Sequence, residues 1–135
     1  LSGPVARATD AATLAAIERH FSLASLDAVV SSLAAAQGDF SAATLSTILS
    51  RSPTSLAVAF RQIAMGRTLS MEACMRMEYR ILNRMLAGHD FYEGIRAAIV
   101  DKDRQPKWRP ARIEDVAATD VDAYFADLGE RELAL

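Results

Sequence analysis

Capping residues punctuate this chain at short intervals, and between them apolar side chains recur every three or four positions. That pattern belongs to short amphipathic helices, and no segment alternates in strand fashion over more than a few residues. Asp10 is placed to cap a helix reaching about His20, with Leu14 and Ile17 turned inward. Ser25 opens a second over Leu26 to Gln37, where Leu26, Val29, Val30 and Leu33 share a face and Gly38 supplies the stop. Ser41 starts a third, to about Ser50, burying Leu45, Ile48 and Leu49. Ser52 followed by Pro53 is a helix start with proline in the first turn. That helix carries Leu56, Phe60 and Ile63 and ends at Gly66.

A longer helix follows from Ser70 to Ala87, closed by Gly88. Asp90 and Glu93 have capping-box spacing and predict a helix to about Val100. Pro106 and Pro110 keep the stretch from Asp101 to Ile113 from being regular helix. Thr119 or Asp120 begins a last short helix with Val121, Tyr124 and Phe125. The expected fold is all-α, with about seven short-to-medium helices in a single domain over residues 1–135. With 51% hydrophobic against 24% charged residues, the chain has enough apolar surface to build a core. It begins with Leu1 rather than Met, and we expect a fragment or a processed form.

A net charge of −2 gives no global basic field, so nucleic acid is not an expected partner. No apolar run is long enough for a membrane span. The single cysteine, Cys74, rules out an internal disulfide, and a reducing, cytoplasmic setting is expected. Charge is nevertheless uneven: residues 1–50 carry −2, residues 51–112 carry +6 and residues 113–135 carry −6. A basic middle suits an anionic partner. An acidic tail folded back onto it explains the pattern as well.

Few residues offer chemistry of their own. Neither His20 nor His89 has a cysteine or carboxylate at ligand spacing, so no metal is expected and both read as surface or cap residues. Cys74 sits among methionines and reads as an inert core thiol. On the long helix, Glu72, Arg76, Arg80 and Arg84 fall four apart, and the arginines repel unless something anionic answers them. Met71, Cys74, Met75, Leu82 and Met85 make an apolar stripe with Glu78 in its middle. A carboxylate there calls for a salt bridge to an arginine of a neighbouring helix. Lys102, Arg104, Lys107, Arg109 and Arg112 surround Trp108, a loop able to hold phosphates or, equally, to tether itself with Trp108 as a plug.

Several motifs resemble a known family. Ser52-Pro53-Thr54-Ser55-Leu56, Phe60-Arg61-Gln62, Met77-Glu78-Tyr79-Arg80 and the run GHDFYEGIRAAIVDKDRQPKWRP from Gly88 to Pro110 resemble the C-terminal part of 3-hydroxyisobutyryl-CoA hydrolases. These belong to the enoyl-CoA hydratase/isomerase (crotonase) superfamily. The resemblance spans roughly Ile17 to Leu128.

It implies a missing N-terminal ββα core, which in that superfamily binds the CoA thioester and supplies the oxyanion hole and catalytic carboxylates. The resemblance therefore implies a hydrolase of valine breakdown for the full-length parent, and no catalytic residue or cofactor in this chain. Alone it is expected to be inactive, its work being to close or support the acyl-CoA site. Its implied partners are its own core, the acyl-CoA substrate and, through bared apolar surface, a second copy. Ala98 and Asp101 stand where hydratases place a CoA-contacting aromatic and a lysine. These departures run against a hydratase-type contact, and Lys102 and Lys107 become the candidates for a CoA phosphate. The alternatives are the tail of an enoyl-CoA hydratase/isomerase or a stand-alone helical interaction module.

Overall fold

The computed structural model describes residues 9–135, and among them there are only helices, turns and loops. Seven α-helices run in order: α1 (Ala11–Phe21), α2 (Leu26–Ala35), α3 (Asp39–Leu49), α4 (Pro53–Gly66), α5 (Met71–Ala87), α6 (His89–Ile95) and α7 (Ala118–Phe125). α6 continues into a wider π-wound turn at Arg96–Val100, and short 3₁₀ turns occupy Ile113–Asp115 and Gly129–Arg131. The chain divides into two compact units, with the break in the last turn of α3: the stretch to Ile48 and Leu49–Leu135.

Local capping chemistry sets most helix starts. The side chains of Asp10, Ser25, Ser52 and Ser70 each accept a hydrogen bond from the backbone N–H three residues on. α3 departs from expectation, since it starts at Asp39 and leaves Ser41 buried inside its first turn. Gly38 explains the shift: at φ +114° it turns the chain where other residues resist, and its carbonyl already accepts from the Ala42 N–H. α6 departs too. Gly88, not Asp90, precedes it, and no side chain caps it.

In the first unit, Val29 and Leu33 of α2 form the buried apolar centre. His20 is buried beside it, which corrects its reading as a surface or cap residue. Its Nδ1 lies 2.8 Å from Ser32 Oγ and its Nε2 3.4 Å from Ser41 Oγ, so hydroxyls from α2 and α3 replace the water it loses. Phe40 stacks on the ring. Ile17, expected inside, is exposed.

The second unit packs α4, α5 and α7 around Val58, Met77, Ile81, Val121 and Phe125. On α7 the expected Val121 and Phe125 are buried, but on α4 and α5 the buried faces are not those the periodicity suggested. Ile63 on α4 and Met71, Met75 and Leu82 on α5 are exposed, and Glu78 is exposed with no ion pair among the described residues.

The arginine row of α5 finds its answer in the acidic tail. Arg80 bonds Glu132 at 2.9 Å, Asp127 at 3.0 Å and the Phe125 carbonyl at 3.2 Å. Arg84 donates to the Asp127 carbonyl and Arg76 to that of Leu133. Part of the basic middle is thus neutralised within the fold.

Ser52 links two elements. It is buried, caps α4 through Ser55 N–H, and donates to Asp90 Oδ2 at 2.6 Å. Ser52→Ala removes both bonds and leaves a mostly buried carboxylate short of a donor. We expect a loss of about 1–3 kcal/mol of stability, read as a lower urea midpoint at unchanged slope.

Candidate functional site

The loop after α6 is built around one guanidinium. The π-wound turn brings Arg96 to a point where Glu93, Asp101 and Asp103 converge on it. Arg96 Nε and Nη2 hold the two oxygens of Glu93 at 2.9 and 2.8 Å, a forked pairing that only arginine makes. Its Nη1 reaches Asp101 at 2.6 Å and Asp103 at 2.7 Å, and Nη2 also donates to the Gln105 carbonyl. The carboxylates then fix backbone: Glu93 accepts the Lys107 N–H and Asp103 the Gln105 N–H.

Further along, Asp90 accepts the Arg109 N–H, and Trp108 Nε1 donates to the Ser50 carbonyl at 3.0 Å. The Trp108 ring lies so close to Gly94 that a Cβ there would stand 3.3 Å from it. A side chain at residue 94 would make the ring give by a few tenths of an ångström, and Trp108 sits half-buried against this glycine.

In this arrangement the DKDR run alternates its roles. Asp101 and Asp103 turn onto Arg96, while Lys102 and Arg104 are exposed, both with positive φ (57° and 56°). A left-handed backbone costs a non-glycine residue energy that the surrounding network must supply. Lys107 is exposed as well, and none of the three cations has an ion-pair partner among the described residues.

The loop borders a cleft of about 660 Å³, a size that ligand pockets commonly have. Among its lining are Arg51, Ser52, Asp90, Ala98, Arg104 and Trp108. Lys102 and Lys107 flank the same loop but do not line the cleft. Arg51, which the sequence reading passed over, does. Its signal was its place next to the Ser-Pro helix start. Arg96 was also passed over, although Glu93, Asp101 and Asp103, all within seven residues of it, foreshadow its role.

The ion pairs shift titration. Arg96, aided by the Lys107 N–H, holds the Glu93 carboxyl down from 4.5 to about 2. Arg96 and the Gln105 N–H likewise keep Asp103 below its usual range, and the three carboxylates push Arg96 upward.

For Glu93 the sign follows from linkage. Between its folded and unfolded values the unfolded chain binds more protons, so stability rises with pH there. The contribution is complete above about pH 5 and is lost as pH falls toward about 2. Thermal unfolding followed across that window will show a flatter pH dependence in Glu93→Gln than in the native chain.

Comparison with known proteins sets this geometry in context. A family model described as enoyl-CoA hydratase/isomerase matches residues 3–125. The mitochondrial 3-hydroxyisobutyryl-CoA hydrolase of Danio rerio is 42% identical over 120 residues, covering 89% of this chain and 31% of that protein. The Homo sapiens protein of the same name is 35% identical over 117 residues, covering 87% and 30%. The matched stretch is the C-terminal part of these hydrolases.

Among solved structures, an enoyl-CoA hydratase from Rhodobacter sphaeroides 2.4.1 superposes with a TM-score of 0.86 at 31% identity, covering 100% of this chain and 41% of that one. A carnitinyl-CoA dehydratase from Mycobacterium thermoresistibile gives 0.87 at 32%, covering 98% and 38%. The chain thus spans about a third of the length of the curated relatives it matches.

Proposed function

The chain belongs to the enoyl-CoA hydratase/isomerase family, and from that premise we propose that it is the helical C-terminal domain of a longer acyl-CoA thioester hydrolase. The substrate class is the 3-hydroxyisobutyryl-CoA type, which puts the parent in valine breakdown. What carries the reading is the identity of up to 42% to hydrolases of that name, along a stretch that makes up about a third of their length.

Thioester hydrolysis needs donors aimed at the developing oxyanion and a carboxylate to activate water or attack the carbonyl. In this reading both come from the preceding part of the parent, and the present chain is inactive alone. Its work is to support the core and close the acyl-CoA site. Lys102 and Lys107 serve as contacts for the CoA phosphates, held outward by the clamp on Arg96. Lys102→Ala combined with Lys107→Ala in the longer protein should raise KM about threefold to tenfold with kcat unchanged, since both cations are exposed and their pairs screened. An unchanged KM rejects them.

The two structural neighbours favour a second reading, the tail of a hydratase or dehydratase. Free-thiol release from 3-hydroxyisobutyryl-CoA, run beside hydration of crotonyl-CoA, separates the two. Thiol release supports the hydrolase, and hydration without it supports the alternative.

Among the described residues no helix is long and apolar enough to cross a membrane. The relatives named above are mitochondrial proteins, so the cytoplasmic expectation is not carried forward.

A further inference from the structure

The cleft beside the Arg96 clamp holds two cations left without a counter-charge. Arg51 and Arg104 both line it, both are exposed, and neither has an ion-pair partner among the described residues. Among those residues Asp90 is the only carboxylate on its wall, and its charge is already answered. Its oxygens accept from His89 Nδ1, the Arg109 N–H and the Ser52 hydroxyl, and its side chain is only 10% exposed.

Arg104 is placed there under strain. Its φ of +56° is left-handed, and its own N–H fixes it so by donating to the Ala97 carbonyl at 3.0 Å. Strained non-glycine residues gather where a ligand is held. Much of the remaining lining is apolar, with Ala97, Ala98 and Pro106 beside Trp108. Trp108 has committed its one donor to the Ser50 carbonyl, so its ring meets the cleft as carbon. At about 660 Å³ the cleft exceeds what a bare ion needs and suits a small organic molecule.

We propose that this cleft is a binding site for a phosphomonoester with a small apolar or planar body, separate from the CoA-phosphate contacts given to Lys102 and Lys107. Two guanidiniums call for a dianion. A phosphomonoester carries roughly two negative charges at neutral pH and takes forked guanidinium bonds. A single carboxylate would leave one arginine unanswered, and the apolar walls take the body of the ligand. Lys102 and Lys107 do not line the cleft, so a phosphate held here uses a different set of cations.

Phenyl phosphate is the probe, with phenol and inorganic phosphate beside it at fixed ionic strength. Calorimetry on the longer protein gives the affinities. In the present chain Trp108 is the only tryptophan, and its fluorescence reads occupancy of the cleft itself. Phenyl phosphate should saturate, inorganic phosphate should bind about tenfold more weakly or worse, and phenol should not register. Arg51→Gln and Arg104→Gln should each weaken phenyl phosphate by about tenfold or more, as loss of a charge-assisted bond does. Ala98→Leu keeps every charge and fills an exposed position of the lining, and should weaken it as far. Circular dichroism checks that each variant keeps its helix content, and if Arg104→Gln does not fold, Ala98→Leu decides. Lys102→Ala combined with Lys107→Ala should leave the affinity within about threefold, since exposed charges that do not touch the ligand are screened.

Absence of saturable binding, or one affinity shared by the native, Arg104→Gln and Ala98→Leu proteins, overturns the site. A response to phenol equal to that of phenyl phosphate overturns the anion. A loss in the double lysine variant as large as that in Arg104→Gln overturns the separation, and cleft and lysines then form one phosphate surface. Thiol release without phenyl phosphate binding rejects this site and leaves the functional reading standing. Binding without thiol release does the reverse.

Discussion

Phe125→Ala is expected to destabilise the second unit by about 3–5 kcal/mol, the usual cost of deleting a buried phenylalanine ring. Phe125 is 9% exposed and closes the core formed with Val58, Met77, Ile81 and Val121. It also carries interactions beyond apolar burial. The Arg61 guanidinium lies 4.8 Å from the ring centroid, held there by an ion pair to Asp122 one turn earlier on α7. The Phe125 carbonyl accepts from Arg80, so a cavity at Phe125 loosens the place where the acidic tail is anchored.

A domain's whole stability is about 5–15 kcal/mol, so the loss leaves the unit marginal. Trp108 is the only tryptophan and belongs to this unit, and its fluorescence in a urea titration reports the change directly. A midpoint within experimental error of the native chain would show that Phe125 does not close the core.

Arg96→Ala is expected to unfasten the loop while leaving the helices in place. The substitution strips the common donor from Glu93, Asp101 and Asp103 and leaves three carboxylates facing one another. Backbone positions that depend on those carboxylates, the Gln105 and Lys107 N–H groups, then lose ordered acceptors. Their amide exchange should accelerate on the order of tenfold or more, while amides of α4 and α5 stay protected. Arg96→Lys should fall between, because an ammonium cannot fork onto Glu93. Unchanged exchange at Gln105 and Lys107 in Arg96→Ala would mean that the loop is held by Trp108 and the prolines instead.

The contrast between what local sequence dictates and what tertiary contacts decide is plain in particular residues. Asp10, Ser25, Ser52 and Ser70 were legible as caps because a cap reaches only three residues along its own chain. Asp90 has the same local credentials and does not cap. Its carboxylate is drawn instead to Ser52, His89 and the Arg109 N–H, and two of these are distant in sequence.

His20 was misread for the same reason, since the hydroxyls that let it be buried come from two other helices. The arginine row of α5 signalled that an anion must answer it, but only the fold identifies that anion as the tail. The apolar stripe was visible as a stripe. Its exposure was not, because periodicity tells which residues share a face and not what covers that face.

At the site, the cations of the 102–112 loop were legible from composition. The clamp that orients them was not: the π-wound turn at Arg96–Val100 and the two positive φ values have no reliable local signature.

The most direct measurement is free-thiol release from 3-hydroxyisobutyryl-CoA by the longer protein and, in parallel, by the present chain. Thiol release is expected from the longer protein and none from this chain, whose described residues contain no strand from which a thioester-binding core is built. Thiol release by the isolated chain, or crotonyl-CoA hydration without thiol release by the longer protein, would contradict it.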